Sequence, residues 1–387
     1  MNITSSAAIP TFLVGARGDS YNNMKANTII LEGGLGNRMR VAASAYAMAK
    51  RTGIPMRVLW TSQWGMRCRF DELFEAPSRL PRGGATISSG IQAETQVPPR
   101  GDLEGAFEWA GGESFSLRDA AGFEKLLFAR PTWKNLHLPR LLQKLCYRHI
   151  IYAPQIWYLN RDGFDYESWF KQGGTLMTAY RDFCPWTSDD LRQLFQPNEK
   201  VRQIVNIRTT AFSPYTIGLH IRRSDHQQAI DESPLELFFE AVDKEIQESP
   251  LPSPPRGGGH ILGHTSGNAR PPLGRFREGS HVERGEGLRI YLATDDEATK
   301  EAFFDRYGSR VITSPAEATR ESTDGIREAL VEMLTLSRTR RIYGSAGSTF
   351  SPIAACLGNV PITILQRDGQ GKIDLLCQDF CPTQPAV

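Results

Sequence analysis

Thr28-Ile29-Ile30-Leu31-Glu32-Gly33-Gly34-Leu35-Gly36-Asn37 reads as a buried strand that passes through a glycine turn into a helix. Four consecutive apolar or β-branched residues suit a strand covered on both faces. The helix is expected from about Asn37 to Arg51, with Gly53 as its C-cap and Pro55 opening the next strand, Met56 to Trp60. Strand, crossover helix and strand form a βαβ unit, and such units build parallel sheets with helices on both faces.

The same alternation returns toward the other end of the chain. Thr216 to Ile221, Arg289 to Ala293 and Val311 to Thr313 read as strands. Asp324 to Arg338 reads as an amphipathic helix with Ile326, Leu330, Met333 and Leu334 on one face. Arg341-Ile342-Tyr343 and Pro361 to Leu365 complete the set. The middle, about 105–200, is rich in Trp, Tyr and Phe but irregular, and only helices are expected there. The fold class is therefore α/β: two Rossmann-like domains, 24–210 and 211–370, facing a cleft with the ligand at the carboxyl ends of strands.

Composition marks what lies outside that framework. Of 387 residues, 59 are Gly or Pro, and 23 of those fall in two stretches, 77–103 and 249–288. Neither stretch has an apolar period, so neither can offset its ordering entropy by burial, and both read as disordered loop insertions. His260, His264 and His281 lie in the longer one without a cysteine nearby, which argues against a zinc site. Residues 1–23 read as an extension ahead of Met24, with an apolar run too weak for a secretory signal, and 371–387 as a tail. The six cysteines show neither disulfide nor zinc spacing, and no apolar run reaches 18 residues, so a reducing cytoplasm is expected. The 45 Lys and Arg against 43 Asp and Glu leave a net charge of +2, which predicts no bulk grip on nucleic acid or an anionic membrane. Peripheral membrane association stays open.

Four places can carry chemistry. In Gly33-Gly34-Leu35-Gly36-Asn37-Arg38 the glycines let a ligand approach the backbone at a helix N-terminus, with Asn37 where an N-cap belongs. The glycine spacing is not that of a dinucleotide fingerprint. In His220-Ile221-Arg222-Arg223-Ser224-Asp225, two arginines leave a strand end on opposite sides; one can fork onto a phosphate while the other pairs with Asp225. Leu292-Ala293-Thr294-Asp295-Asp296 ends a strand and equally suits a helix N-cap. The run Ser345 to Ser351 offers hydroxyls and helix N–H groups to an anion, with Ser351-Pro352 starting the helix. Glu332, among apolar neighbours, either accepts two hydrogen bonds from a guanine edge or lies on a solvated helix face. No Asp-x-Asp occurs, so no metal–diphosphate clamp is expected.

Taken in order, these four motifs resemble the GDP-fucose-dependent fucosyltransferases, a superfamily of α-1,2, α-1,6 and protein O-fucosyltransferases, over about residues 28–365. The resemblance implies a GT-B-type fold, an inverting transfer of fucose from GDP-fucose to a glycan hydroxyl, no metal, and no cofactor beyond the donor. It makes 24–210 the acceptor-side domain and 211–370 the nucleotide-sugar domain. It assigns Arg222 to the β-phosphate of the departing GDP and puts His220 near the nucleotide. Ser345, Ser348 and Thr349 fall to the diphosphate, Glu332 to guanine, and Gly34, Gly36 and Asn37 to the donor sugar and acceptor. Arg223, Asp225 and Asp295 complete the donor set, and the base is Asp231 or Glu232. Arg38-Met39-Arg40-Val41 departs from the Gln-Met-Phe-Gln run common in α-1,2 enzymes, and its extra arginine suggests a different acceptor. Transfer from another nucleotide sugar, or sugar-nucleotide binding without catalysis, remain the competing readings.

Overall fold

The computed structural model describes residues 27–63, 65–75, 115–224, 227–248, 287–314, 319 and 321–379. The extension 1–23, the stretch 77–103, nearly all of 249–288, and Asp225 and Cys381 lie outside the described residues. Leu288, the last residue of the longer stretch, is described and stands in the core at 2% exposure. The expected insertion therefore does not include Leu288.

The chain divides into two compact units, Met1–Gln196 and Pro197–Val387. In the first, β1 (Asn27–Leu31) is buried at every residue and leads into α1 (Leu35–Thr52), which ends at Gly53 in the left-handed region. There follow β2 (Met56–Trp60), β3 (Phe115–Asp119), α2 (Phe123–Leu127), α3 (Leu138–Cys146), β4 (His149–Ile151), α4 (Ala153–Arg161), α5 (Tyr166–Lys171), β5 (Thr175–Ala179) and α6 (Ser188–Leu194). The strands form a parallel sheet in the order β3-β2-β1-β5-β4. The middle of the chain thus supplies three strands where helices alone were expected. Thr175-Leu176-Met177-Thr178-Ala179 lacks a β-branched apolar run; pairing beside β1, with Ile30 opposite Thr178, decides its state.

The second unit begins with α7 (Glu199–Thr209) and β6 (Ile217–Ile221), then α8 (Gln227–Glu232), α9 (Leu235–Glu248), β7 (Ile290–Thr294) and α10 (Glu297–Tyr307). It continues through β8 (Val311–Thr313), α11 (Thr323–Leu336), β9 (Ile342–Ser345), α12 (Phe350–Gly358), β10 (Ile362–Gln366) and β11 (Gly369–Gln370). Its sheet runs β11-β10-β9-β6-β7-β8, parallel except for the last hairpin, β10 with β11. Ile217, Leu219, Ile221, Phe238, Ile290, Leu292 and Phe303 fill one core cluster, with Leu288 among them. The units part at 196/197, ahead of the expected 210/211. Helix α7 packs on α11, and Arg208 ion-pairs with Glu328 at 2.5 Å, tying α7 to the later unit.

The order of strands fixes where a ligand can reach the backbone. From β6 the chain moves outward to β7 and β8, then returns to the other side of β6 as β9 and moves outward to β10. The carboxyl ends of β6 and β9 therefore flank a topological switch point, where the crossovers depart in opposite directions and leave a crevice. In the first unit the corresponding place lies between β1 and β5.

Candidate functional site

In the second unit, the β6–β9 switch point gathers most of the expected donor residues. His220, on β6, is buried, and its ring stacks on Phe350 at 4.6 Å between centroids and 19° between planes. Burial, and then the neighbouring Arg222 charge, lower its pKa to about 3, while Asp295 pulls the other way. The imidazole is therefore neutral. Its Nδ1 is buried without a hydrogen-bond partner.

The two arginines after β6 have different surroundings. The Arg222 backbone amide donates to Ser345 Oγ at 3.2 Å, and its guanidinium is close enough to act on both His220 and Asp295. Arg223 donates through Nη1 to the Ile230 carbonyl at 3.2 Å and through Nη2 to the Ser233 carbonyl at 2.9 Å. Those carbonyls belong to the end of α8 and the turn after it, so Arg223 acts as a C-terminal clamp there. The expected pairing with Asp225 lies outside the described residues. Lysine could not reproduce a two-pronged bond of this kind.

Asp295 and Asp296 separate the roles that the sequence left together. Asp296 is the N-cap of α10, accepting from the Thr299 amide at 2.8 Å and its hydroxyl at 2.6 Å. Asp295 instead turns back to β6, accepting from the Arg223 amide at 2.7 Å and Ser224 Oγ at 2.6 Å. Burial opposes its ionisation, but those two hydrogen bonds and the Arg222 charge outweigh burial and lower its pKa. Asp295 thus shapes the loop that carries Arg222.

Ser345, expected on the diphosphate, is 1% exposed, and its hydroxyl links the two strand ends by donating to the His220 carbonyl at 3.3 Å. Helix α12 starts at Phe350, earlier than the Ser351-Pro352 start expected from sequence. Thr349 occupies the N-cap position without a side-chain cap bond, and no acid stands in the first turn. The half-buried Ser348 accepts from the Phe350 amide at 3.3 Å. A helix start of this kind, beside an arginine and a neutral histidine, is suited to phosphate oxygens.

Glu332 is 5% exposed, so the solvated-face reading does not hold. Burial, reinforced by Glu328, pushes its pKa up to about 8 against the pull of Arg208 and Lys300. Its charge acts on Asp295 and on Tyr291 of β7, which places it behind the same strand ends. Asp231 and Glu232 close α8; they accept from Gln227 at 2.8 Å and Gln228 at 2.9 Å, one turn earlier.

Gly34, Gly36 and Asn37 belong to the first unit and form a separate cluster. Gly34, not Asn37, is the N-cap of α1, and Asn37 falls in its first turn. Gly33 has φ +79, and a Cβ there would stand 2.9 Å from Asn37 Nδ2, so the turn requires glycine. Arg38 is fully buried and donates to the carbonyls of Gly33, Thr61 and Gln63. Arg40 is 3% exposed, donates to the Tyr180 carbonyl and pairs with Asp182 at 3.7 Å. The extra arginine is a buried brace between α1 and the loop after β5, and gives no information about the acceptor.

Two carboxyls at this sheet edge went unread in the sequence. Glu32 directly follows β1, its pKa raised by burial against a hydrogen bond to Thr178 and the charges of Arg38, Arg130 and Arg140. Asp119 ends β3, where burial raises it to about 6 although it accepts from the Phe70 amide at 3.1 Å. Only the sheet order, which aligns the ends of β1 and β3, could have singled them out. Phe350 was likewise missed, since nothing local marks a ring that stacks across strands. Among the described residues no group of three or more His, Cys, Asp or Glu could hold a metal ion.

Comparison with solved structures gives one consistent result. The chain matches the NodZ α-1,6-fucosyltransferase soaked with GDP-fucose at 16% identity and TM-score 0.50, over 91% of this chain and 99% of that one. It matches the fucosyltransferase NodZ from Bradyrhizobium at 17% identity and TM-score 0.50, with the same coverage. No protein-family model and no curated protein sequence matches the chain. The chain has the GT-B-like fold of these fucosyltransferases, in agreement with the fold class read from its motifs.

Proposed function

We propose that this protein is a glycosyltransferase that moves fucose from GDP-fucose onto a glycan hydroxyl, with inversion and without a metal. The observation that carries the reading is the β6–β9 switch point, where Arg222 and a neutral His220 adjoin the start of α12. The NodZ structure soaked with GDP-fucose, which has the same fold, supports the choice of donor.

Arg222 and the α12 amides take the charge of the diphosphate as the bond from the fucose anomeric carbon to the β-phosphate oxygen breaks. The acceptor oxygen forms the new bond from the opposite face, and its proton passes to Asp231 or Glu232. Glu332, as a carboxylate, accepts from the guanine ring N–H and amino group. The described cysteines 68, 146, 184, 356 and 377 are free thiols, which suits a cytoplasmic setting.

A thermal-shift series against GDP, UDP, CMP and their sugar conjugates, followed by a fucose-transfer assay, tests this. A ligand at a hundred times its Kd adds about 2.7 kcal/mol, enough to read as a shift. GDP-fucose should stabilise the chain and be consumed. Stabilisation by UDP-sugars alone would replace the donor. Stabilisation by GDP-fucose without turnover would leave a binding protein.

A further inference from the structure

Among the described residues no helix is long and apolar enough to cross a membrane. The first unit nevertheless holds large apolar side chains out to solvent in one segment: Trp133 is 85% exposed, Leu136 84% and Leu145 74%. Leu138 and Leu141 are also exposed. On α3, Leu138, Leu141 and Leu145 stand at i, i+3 and i+7 and share one face. The helix cannot roll to hide them. Its other side is already committed, with Pro139 and Gln143 buried, Gln143 Nε2 donating to the Leu127 carbonyl at 2.9 Å, and Leu142 packed on the core.

The approach to α3 is equally fixed. Trp133–Asn135 is a 3-10 turn whose Asn135 side chain accepts from the Thr132 amide at 2.9 Å and donates to the Arg130 carbonyl at 2.9 Å. Leu136 and His137 then adopt φ of 50 and 54, a left-handed conformation that is strained for bulky side chains. This geometry points Leu136 outward instead of letting it fold onto the core.

The charge around these side chains has one sign. Lys125, Arg130, Lys134, Arg140, Lys144 and Arg148 are all exposed. Glu124 is the single acid from Phe123 to Arg148, and Arg118 and Arg57 pair with it. A net charge of only +2 for the whole chain conceals this local concentration. A leucine stripe with tryptophan at its edge and a basic border has the chemistry of an interfacial helix, its apolar face at the acyl boundary and its cations on lipid phosphates.

We propose that α3 and the turn before it dock this protein on an anionic phospholipid surface. A second copy meeting the same patch across a two-fold axis would set six cations against six, so charge favours lipid over self-association. The patch adjoins the end of β1: Arg130 and Arg140 both act on Glu32, and the Arg130 amide bonds Gln63 Oε1 at 3.2 Å. Docking would therefore bring the Gly33–Asn37 turn close to the headgroups. This inference is independent of the proposed reaction.

Co-sedimentation of the full chain with vesicles tests it, using phosphatidylcholine alone and phosphatidylcholine with about one-third phosphatidylglycerol. The chain should sediment with the anionic vesicles, not the neutral ones, and be released at about 1 M salt, where the Debye length is about 3 Å. Lys134→Gln with Lys144→Gln should weaken partitioning about thirtyfold, at ~1 kcal/mol per cation. Leu141→Glu with Leu145→Glu should abolish partitioning while the thermal melt stays cooperative. Failure to bind anionic vesicles, or unchanged binding by both double variants, overturns the proposal. So does a dimer in size exclusion that Leu141→Glu with Leu145→Glu dissociates, since a second copy would then cover the face.

Discussion

The His220 ring lies over the Phe350 ring at 4.6 Å and 19°, so the carboxyl end of β6 is held against the first residue of α12. A charged imidazole would gain from an aromatic face, but here burial dominates and keeps His220 neutral down to about pH 3. In the unfolded chain the same group titrates near 6.5. The stability it contributes is complete above 6.5 and is lost as pH falls through the interval toward 3. Denaturant unfolding at a series of pH values should show this decline. His220→Asn should flatten it, and an unchanged slope would mean that other groups govern acid sensitivity.

Arg222 and Arg223 should part company under substitution. Arg222→Ala should reduce fucose transfer by about a hundredfold or more, as loss of a charge-stabilising donor does. Arg223→Ala removes two bonds to carbonyls at the end of α8 and should cost roughly 2–3 kcal/mol in stability. Parallel activity and melting measurements on both variants distinguish them. Equal effects on Tm would remove the division of labour.

Glu332 carries two pH effects of opposite sign. Its folded value of about 8 stands above the ordinary 4.5, so the native state retains a proton that the unfolded chain has lost. Its contribution to stability is therefore whole below 4.5 and lost as pH rises through about 8. A guanine edge donating to the carboxylate favours its ionised form, so GDP affinity should rise over the same interval. Glu332→Gln should flatten both curves, as read by chemical denaturation and calorimetric titration. GDP binding that matches the native chain at every pH would end the guanine assignment.

Gly344 faces Ser351 across the start of α12, and a Cβ at Gly344 would stand 2.3 Å from the Ser351 hydroxyl. Gly344→Ala should cost about 1–3 kcal/mol through overpacking. Ser351→Ala should be close to neutral, since its buried Oγ has no hydrogen-bond partner. The double variant should recover part of the loss, a coupling that a denaturation cycle reads directly. Simple additivity would show that the contact is not what limits position 344.

The sequence alone determined the parts whose physics is local. Runs such as Thr28 to Leu31 and Ile217 to Ile221, each followed by a helix start, name their own strands because apolar runs and glycine turns act over a few residues. The order of the four motifs was enough to indicate the fold, and Arg222 and Arg223 were legible as a strand-end pair on opposite sides. The short strands Phe115–Asp119 and Thr175–Ala179 were not, because only pairing with β2 and β1 makes them strands.

Tertiary structure alone decided what each polar side chain does. Arg222 and Arg223 are neighbours in the chain, yet their opposite directions leave one beside His220 and clamp the other onto α8. Asp295 and Asp296 divide in the same way, one toward β6 and one onto α10. The extra arginine of Arg38-Met39-Arg40-Val41 suggested a different acceptor, but burial sets both Arg38 and Arg40 on backbone carbonyls. Whether a charge is available to a ligand depends on which distant backbone oxygens reach it first, and the strand order of each sheet sets those distances.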